Sequence, residues 1–383
     1  MNSVPLEVSP TQPTSEAAAG REAVLRVKNV VKRFKDTVAV NNVSFDVHDG
    51  EFLFLIGPSG CGKTTTLRMI GGYETPTSGE ISVRGRVMND VPLDKRNIGM
   101  VFQSYALFPH MTVQRNVEFG LRTRNVPRQE RLDRVAATLD LVELGDLSER
   151  YPAQLSGGQR QRVALARVLA YEPDILLLDE PLANLDKRLR DVMRVELKKL
   201  QEKIGITTVY VTHDQEEALT MADRIAVMDG GDLLQVGTPN EVYNAPDSTF
   251  VATFLGETSS FHGSVDSVEG DLAHVAMDDG FRTAIRHKGD VAVGDGLMVS
   301  IRPERVRLAR DRPAADENVF AGTVDFVSYL GAYVVYMIRL DDGDALIQAS
   351  EPIPGGRASY AEGEHVFASW DADHAVYLKG AAR

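Results

Sequence analysis

The alternation of apolar and polar residues divides the chain into a region of mixed strands and helices and a later region of strands alone. From Val24 to Asp49 the alternation has the period of half-buried antiparallel strands. The next run, Glu51–Ile56, is almost continuously apolar, as in a strand buried on both faces. A glycine-rich turn and a helical stretch, Lys63–Ile70, follow. This order predicts the first half of a parallel α/β unit.

Three more apolar runs predict that the sheet continues, at Asp174–Leu178, Thr207–Val211 and Arg224–Met228, with a charged helix at Lys187–Lys203. The pattern between about residues 104 and 170 is largely helical. We therefore expect a helical insertion between two parts of one α/β sheet.

After about Gly256 short alternating segments recur, separated by turns such as Asp278-Asp-Gly280 and Asp341-Asp-Gly-Asp344. This pattern predicts a small all-β domain, with the strands arranged as a barrel. The segments that begin at Gly263 and Gly322 are alike, which suggests an internal duplication.

The composition of the chain mainly excludes some classes of protein and some kinds of site. The chain has 383 residues, 25% charged and 43% hydrophobic, as in an ordinary soluble protein of two or three domains. The net charge of −13 disfavours a protein that neutralises nucleic-acid phosphates, so we expect no nucleic-acid partner. Cys61 is the single cysteine, which excludes an intramolecular disulfide and a cysteine-based zinc site.

The first 22 residues lack the cationic start and apolar core of a signal peptide, and we predict that they form a disordered tail. No run approaches the roughly 18 to 20 apolar residues that span a bilayer. We therefore expect a cytoplasmic protein whose association with a membrane depends on partners.

The segment Gly57-Pro-Ser-Gly-Cys-Gly-Lys63-Thr64 has the pattern of a phosphate-binding loop. Its glycines allow backbone N–H groups to turn toward an anion, and the next helix directs its positive end at the phosphates. Lys63 is expected to reach the β- and γ-phosphates, and Thr64 to ligate Mg²⁺. A chance match is the alternative, but the strand before and the helix after the loop favour the functional interpretation.

Two acids end the buried strand that begins at Asp174. Asp179 is expected to hold Mg²⁺ indirectly, through a ligand of the ion or through water, and Glu180 to polarise the attacking water as a general base. Acids at a strand end are commonly only solvated, and the phosphate-binding loop is what favours a catalytic role here.

The run Leu155-Ser-Gly-Gly-Gln159 precedes a predicted helix, Arg160–Ala170, with Ser156 as its cap. This helix N-terminus is a second candidate anion site. One nucleotide does not need two such sites, so the simplest explanation is that this one caps a nucleotide held by another copy. An ordinary helix cap is the alternative.

The order of these motifs resembles that of the nucleotide-binding subunit of ABC transporters. The resemblance implies a P-loop α/β ATPase domain at residues 23–256, with a helical subdomain inserted at about 104–170. It also implies that the domain works as a dimer and binds ATP and Mg²⁺. Residues 257–383 resemble the accessory oligonucleotide-fold-like (TOBE) domain of importers, with Ser300-Ile-Arg-Pro-Glu304 as the matching piece.

The resemblance also implies roles for single residues. Gln103 would touch Mg²⁺ and sense the membrane subunits, His213 would contact the γ-phosphate, and Asp186 would link the two sites of the dimer. His213 alone fits an ordinary turn residue equally well, so its assignment rests on the match. The catalytic group would comprise Lys63, Gln103, Glu180 and His213. Mg²⁺ would be bound by Thr64, Gln103 and Asp179, and ATP by Phe34, Gly57, Pro58, Ser59, Gly60, Cys61, Gly62, Lys63, Thr64, Thr65, Ser156, Gly157, Gly158, Gln159 and Asp186.

Two positions depart from the family pattern. The aromatic residue that stacks on adenine is usually tyrosine and here is Phe34, whose ring keeps the stacking surface. The residue before Asn184 is often serine and here is Ala183, which removes a hydroxyl near the expected dimer interface.

The stretches Gln103–Val113 and Thr212–Ala218 resemble the importer branch, and Phe108–His110 and Phe254–Glu257 look most like the polyamine (spermidine/putrescine) importer ATPase. The resemblance implies three kinds of partner: a second copy of the chain, two integral membrane permease subunits and a separate solute-binding protein. It also implies a location on the inner face of the cell membrane.

Other functions compete with this one. Iron, sugar and other solute importers share most of these segments and are the alternative. A soluble ABC-type ATPase acting on nucleic acid or translation is disfavoured by the single phosphate loop, the acidic charge and the absence of a long heptad run.

Overall fold

The structure is a computed structural model that describes residues 22–314, 317–353 and 358–380. Backbone contacts divide the chain into two compact units, residues 1–239 and 240–383. The boundary predicted after residue 256 therefore lies inside the second unit. The predicted tail lies outside the described residues except for Glu22.

The first unit contains ten strands and six helices within its described residues. The strands are β1 (Ala23–Phe34), β2 (Thr37–His48), β3 (Phe52–Ile56), β4 (Ser78–Val83), β5 (Arg86–Val87), β6 (Ile98–Val101), β7 (Ile175–Asp179), β8 (Thr207–Thr212), β9 (Arg224–Asp229) and β10 (Asp232–Gly237). The helices are α1 (Lys63–Gly71), α2 (Val113–Thr123), α3 (Arg128–Leu141), α4 (Gly157–Leu169), α5 (Lys187–Ile204) and α6 (Gln215–Met221).

The central sheet of this unit has the order β10-β9-β3-β8-β7-β6. Its five strands from β9 to β6 are parallel, and β10 pairs antiparallel with β9 at the edge. Every residue of β3, β7 and β8 is buried, which explains why these strands are continuously apolar or carry threonine. A second sheet, β2-β1-β4-β5, is antiparallel, as the alternating pattern after Val24 predicts.

The predicted helical insertion consists of three helices, α2, α3 and α4, with irregular segments between them. Their apolar faces form one buried cluster that includes Val117, Val135, Leu139 and Val163. α4 begins at Gly157 rather than at the predicted Arg160, because Ser156 and Gln159 cap each other's backbone N–H groups. The three residues after Ser156 are therefore already helical.

The second unit begins with two short helices, α7 (Pro239–Asn244) and α8 (Thr249–Phe254), and continues with ten strands in its described residues. The strands are β11 (Ser259–Glu269), β12 (Leu272–Met277), β13 (Arg282–Arg286), β14 (Gly296–Ile301), β15 (Arg307–Ala309), β16 (Asn318–Tyr329), β17 (Tyr333–Leu340), β18 (Leu346–Pro352), β19 (His365–Trp370) and β20 (Val376–Lys379).

These strands form two antiparallel sheets that share one hydrophobic core. The first sheet has the order β13-β12-β11-β14-β20, and the second has the order β18-β17-β16-β19-β15. The two orders correspond strand for strand, which supports the internal duplication. The fifth strand of each sheet is exchanged, since β15 follows β14 in the chain and β20 follows β19.

Gly263 and Gly322 occupy corresponding positions in β11 and β16. A Cβ atom on Gly263 would lie 2.4 Å from the carbonyl oxygen of Ala276, and one on Gly322 would lie 2.6 Å from that of Arg339. The likeness of these two segments therefore reflects the same close approach to a neighbouring strand in each half.

We expect Gly322→Ala to destabilise the second unit by about 1 to 3 kcal/mol, because backbone must move to admit the methyl group. The measurement is the thermal unfolding transition of that unit. Gly296→Ala is the matched control, since a Cβ there meets no atom within 4 Å. Equal melting temperatures for the two variants would contradict the prediction.

Candidate active site

The candidate site lies along the carboxyl ends of four adjacent parallel strands. β3 leads into the loop from Gly57 to Thr64, β8 into His213, β7 ends at Asp179 and is followed by Glu180, and β6 leads to Gln103. Ligands of open parallel sheets bind at this edge because the loops there diverge from strand ends that lie close together.

The phosphate-binding loop wraps around the side chain of Lys63. The Lys63 ammonium donates hydrogen bonds to the carbonyl oxygens of Gly57 at 2.7 Å and Pro58 at 2.8 Å, and lies 3.6 Å from the Cys61 sulfur. Lys63 is only 6% exposed. A bound phosphate must therefore draw the ammonium away from the loop's own carbonyl groups.

Two glycines give the loop its shape. Gly57 has φ 152°, and a Cβ there would lie 2.1 Å from the carbonyl oxygen of Met228. Gly62 has φ 102°, and a Cβ there would lie 2.5 Å from the carbonyl oxygen of Ala39. Both positions therefore require glycine, for conformation and for space.

The Cys61 thiol, in contrast, is buried. Ser59 and Gly60 are exposed, and Thr65 is half-buried in the first turn of α1. A thiol reagent can reach Cys61 only if the loop opens.

Thr64 and Asp179 are brought together from the loop and from β7. The Thr64 hydroxyl donates a hydrogen bond to Asp179 at 3.1 Å. Burial raises the pKa of Asp179, and the Thr64 hydroxyl partly offsets this. A hydroxyl and a buried carboxylate next to a phosphate loop are oxygen ligands of the type that Mg²⁺ prefers. The residues present thus fit this metal.

Glu180 is the centre of a small hydrogen-bonded group. Its carboxylate accepts a bond from the Gln103 amide at 3.3 Å and lies 3.1 Å from Nδ1 of His213. The Glu180 backbone is in the left-handed region, with φ 46°, and its N–H bonds to the carbonyl oxygen of Val211 at 3.0 Å. The structure thus brings three of the four predicted catalytic residues into contact.

The run Leu155–Gln159, called the signature segment below, makes only local hydrogen bonds within the described residues. The Ser156 hydroxyl accepts from the Gln159 N–H at 3.3 Å, and the Gln159 side chain accepts from the Ser156 N–H at 2.9 Å. A Cβ on Gly157 would contact Leu185, and one on Gly158 would contact Met193. Both glycines therefore allow α4 to pack closely against α5 and the loop before it, and no bond joins the segment to the phosphate loop of the same chain.

The loop before α5 has contacts that the sequence did not reveal. Asp186 caps α5 by accepting from the Leu189 N–H at 3.0 Å. The Asn184 amide donates to the carbonyl oxygen of Gln103 at 2.8 Å. No role was predicted for Asn184, although its place two residues before Asp186 is a signal.

Phe34 lies at the end of β1 and is 44% exposed. The Lys32 ammonium lies over one face of the Phe34 ring, 4.8 Å from its centre. The other face is available at the surface.

Comparison with known proteins identifies the family. Residues 40–183 match the family described as ABC transporter, and residues 299–378 match the TOBE domain. The chain is 49% identical over 363 residues to the spermidine/putrescine import ATP-binding protein PotA of Rubrobacter xylanophilus, which covers 94% of this chain and 95% of that protein. It is 45% identical over 383 residues to the protein of the same name from Thermobifida fusca, covering 98% and 99% of the two chains.

The chain belongs to the ATP-binding proteins of ABC transporters. This confirms the predicted resemblance and fold class, and the chain is an ABC-type ATPase with a C-terminal TOBE domain.

Solved structures of ABC cassettes agree with this assignment. The cassette cbiO1 of Clostridium perfringens, part of the transporter complex cbiONQ, has a TM-score of 0.54 and 31% identity, covering 58% of this chain and 90% of that one. The dimeric structure of MJ0796, a bacterial ABC transporter cassette, has a TM-score of 0.50 and 37% identity, covering 56% of this chain and 98% of that one. Within the described part of this ABC protein, no helix is long and apolar enough to cross a membrane.

Lys63→Ala should weaken ATP binding by roughly 1.5 to 3 kcal/mol, the value of a hydrogen bond to a charged group, and abolish hydrolysis. Titration of a fluorescent ATP analogue and a phosphate-release assay measure the two effects. Lys199→Ala, at an exposed position of α5, is the control for loss of a cation. Turnover at the wild-type rate in Lys63→Ala would refute the role of the loop.

Proposed function

We propose that this chain hydrolyses ATP with Mg²⁺ to energise the import of the polyamines spermidine and putrescine through a membrane ABC transporter. The observation that carries the ATPase part is the Glu180 carboxylate, held between Gln103 and His213 beside the phosphate-binding loop. The polyamine part is supported by the relatives, whose names describe spermidine/putrescine import and whose lengths this chain matches.

In this proposal the phosphate loop binds the triphosphate. The backbone N–H groups from Gly57 to Thr65, except at Pro58, which has none, surround the phosphates, and the start of α1 supplies positive potential. Lys63 exchanges its bonds to Gly57 and Pro58 for bonds to the β- and γ-phosphates. The exposed face of Phe34 stacks on the adenine.

Thr64 and Asp179 would hold Mg²⁺, with the side-chain amide oxygen of Gln103 as a further ligand. The ion would supply positive charge that offsets the developing charge on the phosphate oxygens. Its presence would also neutralise the adjacent carboxylates of Asp179 and Glu180.

Glu180 is the general base of the proposed reaction. It orients a water molecule in line with the γ-phosphorus and accepts a proton as the water attacks, while the bond from the γ-phosphorus to the bridging oxygen breaks and ADP and phosphate are formed. His213, 61% exposed, keeps the Glu180 carboxylate in place and contacts the γ-phosphate. Glu180 follows β7 and the phosphate-binding loop follows β3. Because both strands belong to one sheet, their ends determine the distance between the general base and the γ-phosphate.

The signature segment completes the site of a second copy. At this helix start Ser156 is exposed, Gly157 and Gln159 are half-buried and Gly158 is buried, and none of the four makes a bond to its own phosphate loop in the described structure. Two copies facing each other would bury two ATP molecules, with each Asp186 near the boundary. The remaining partners would be two permease subunits, which hold the pair at the inner face of the membrane, and a separate solute-binding protein.

Glu180→Gln should stop hydrolysis, a loss of about 10² to 10⁴-fold, while ATP binding persists. The variant should accumulate as an ATP-bound dimer, because hydrolysis is what separates the two copies. Sedimentation velocity with ATP and Mg²⁺, at several protein concentrations, measures this. Adding Ser156→Arg should return the variant to monomer, since a bulky cation would occupy the γ-phosphate position of the partner. A monomeric Glu180→Gln that is saturated with ATP at every concentration would refute the shared site.

A deletion strain should lose uptake of radiolabelled spermidine and putrescine, and the wild-type gene should restore it, whereas Lys63→Ala should not. Uptake of iron and of maltose in the same strain is the control for other importers. Unchanged polyamine uptake with a loss of iron or sugar uptake would replace polyamines with that solute and leave the ATPase assignment intact.

A further inference from the structure

Arg190 joins two loops of the active site. It lies in the first turn of α5, four residues after the capping Asp186. One nitrogen of its guanidinium donates to the carbonyl oxygen of Leu185 at 3.2 Å, and another donates to the Asp214 carboxylate at 3.4 Å. A single side chain therefore connects the loop before α5 with the turn that carries His213.

The position of Asp214 is itself well defined. One carboxylate oxygen caps α6 by accepting from the N–H groups of Glu216 at 2.9 Å and Glu217 at 3.2 Å. The other oxygen faces Arg190 and also accepts from Arg194 at 3.0 Å. The Asp214 side chain is only 20% exposed, so these ion pairs are partly shielded from water. Because His213 immediately precedes Asp214, these bonds anchor the turn that carries His213.

These contacts form a closed ring of interactions that includes the general base, Glu180. Starting from Glu180, hydrogen bonds lead through His213 and its neighbour Asp214 to Arg190, and from Arg190 to Leu185. The loop then returns through Asn184, which binds the carbonyl oxygen of Gln103, whose amide binds Glu180. Arg190 is the member whose two arms join the His213 side of the ring to the Gln103 side.

We propose that Arg190 is a positioning residue for hydrolysis, which holds His213 and the loop 183–186 in a fixed relation and thereby orients Glu180. The inference rests on the proposed function, because it acts through His213, Gln103 and Glu180. Arg190 touches neither nucleotide nor metal in this proposal. Its loss should affect the chemical step and leave ATP binding in place.

Arg194 provides a matched control one turn further along α5. It binds the same Asp214 oxygen and also Glu216 and Asp191, but none of its bonds reaches the loop before α5. Removing either arginine takes a partner from the same carboxylate, and the loss of Arg194, which has three ion pairs against one for Arg190, should cost at least as much stability. Only the removal of Arg190 breaks the ring.

The experiment compares full-length Arg190→Gln and Arg194→Gln by steady-state phosphate release, ATP-analogue titration and melting temperature. Arg190→Gln should lower kcat by about 10-fold or more, as expected for a misplaced reacting group, with the Kd of the analogue changed less than about twofold. Arg194→Gln should keep kcat within about twofold of wild type. Arg190→Lys, which keeps the charge but not the two-armed donor geometry, should recover the melting temperature but not kcat.

A double-mutant cycle with Asp214→Asn tests the path, since asparagine keeps the helix cap but loses the charge. If Arg190 acts through Asp214, the double variant should have a kcat within about twofold of the lower single variant. Equal kcat values for Arg190→Gln and Arg194→Gln, or fully multiplicative losses in the cycle, would overturn the inference. If the Arg190 inference fails but wild type hydrolyses ATP and Glu180→Gln does not, the proposed ATPase function stands. An inactive wild type would refute the ATPase function and the Arg190 inference together.

Discussion

The Glu180 carboxylate, held by Gln103 and His213, is the constraint around which the site is arranged. The Glu180 backbone adopts a left-handed conformation that costs a non-glycine residue of order 1 kcal/mol or more. A hydrogen bond from the Glu180 N–H to the carbonyl oxygen of Val211 in the neighbouring β8 holds it there. The Glu180 carboxylate contacts Gln103 and His213, while that of Asp179 contacts Thr64. Two acids adjacent in sequence thus have different partners.

The charges of the site fit the proposed binding of ATP together with Mg²⁺. Asp179 and Glu180 are neighbouring acids, and burial already raises the pKa of Asp179. The nearest loop cation, Lys63, is bonded to carbonyl oxygens rather than to either acid. A triphosphate alone would bring more negative charge to this edge, whereas a divalent cation between phosphate and carboxylates would offset both.

The parts of the fold that could be predicted are those in which local chemistry is decisive. Residues adjacent in sequence were enough to predict two features. The spacing of glycines predicts the loop from Gly57 to Thr64, and the continuous apolar run predicts the buried strand that ends at Asp179. β6, with only four residues, escaped the pattern, and the contact of Gln103 with Glu180 joins residues 77 positions apart. The ring through Arg190 was equally invisible, since its carbonyl partner at Leu185 is provided by backbone and leaves no mark in residue type.

The exchanged strands of the second unit have a consequence for how that unit folds. β15 completes the sheet of the other half, and β20, the last strand of the unit, completes the first sheet. Neither half can bury its edge without the other, so the duplicated halves must form in one cooperative step. The pairing of β14 with β20 requires closure of a long loop, which slows folding and delays it until the whole unit has left the ribosome. The nucleotide-binding unit, whose sheets are complete by β10, can reach its native state before the strands behind it have been synthesised.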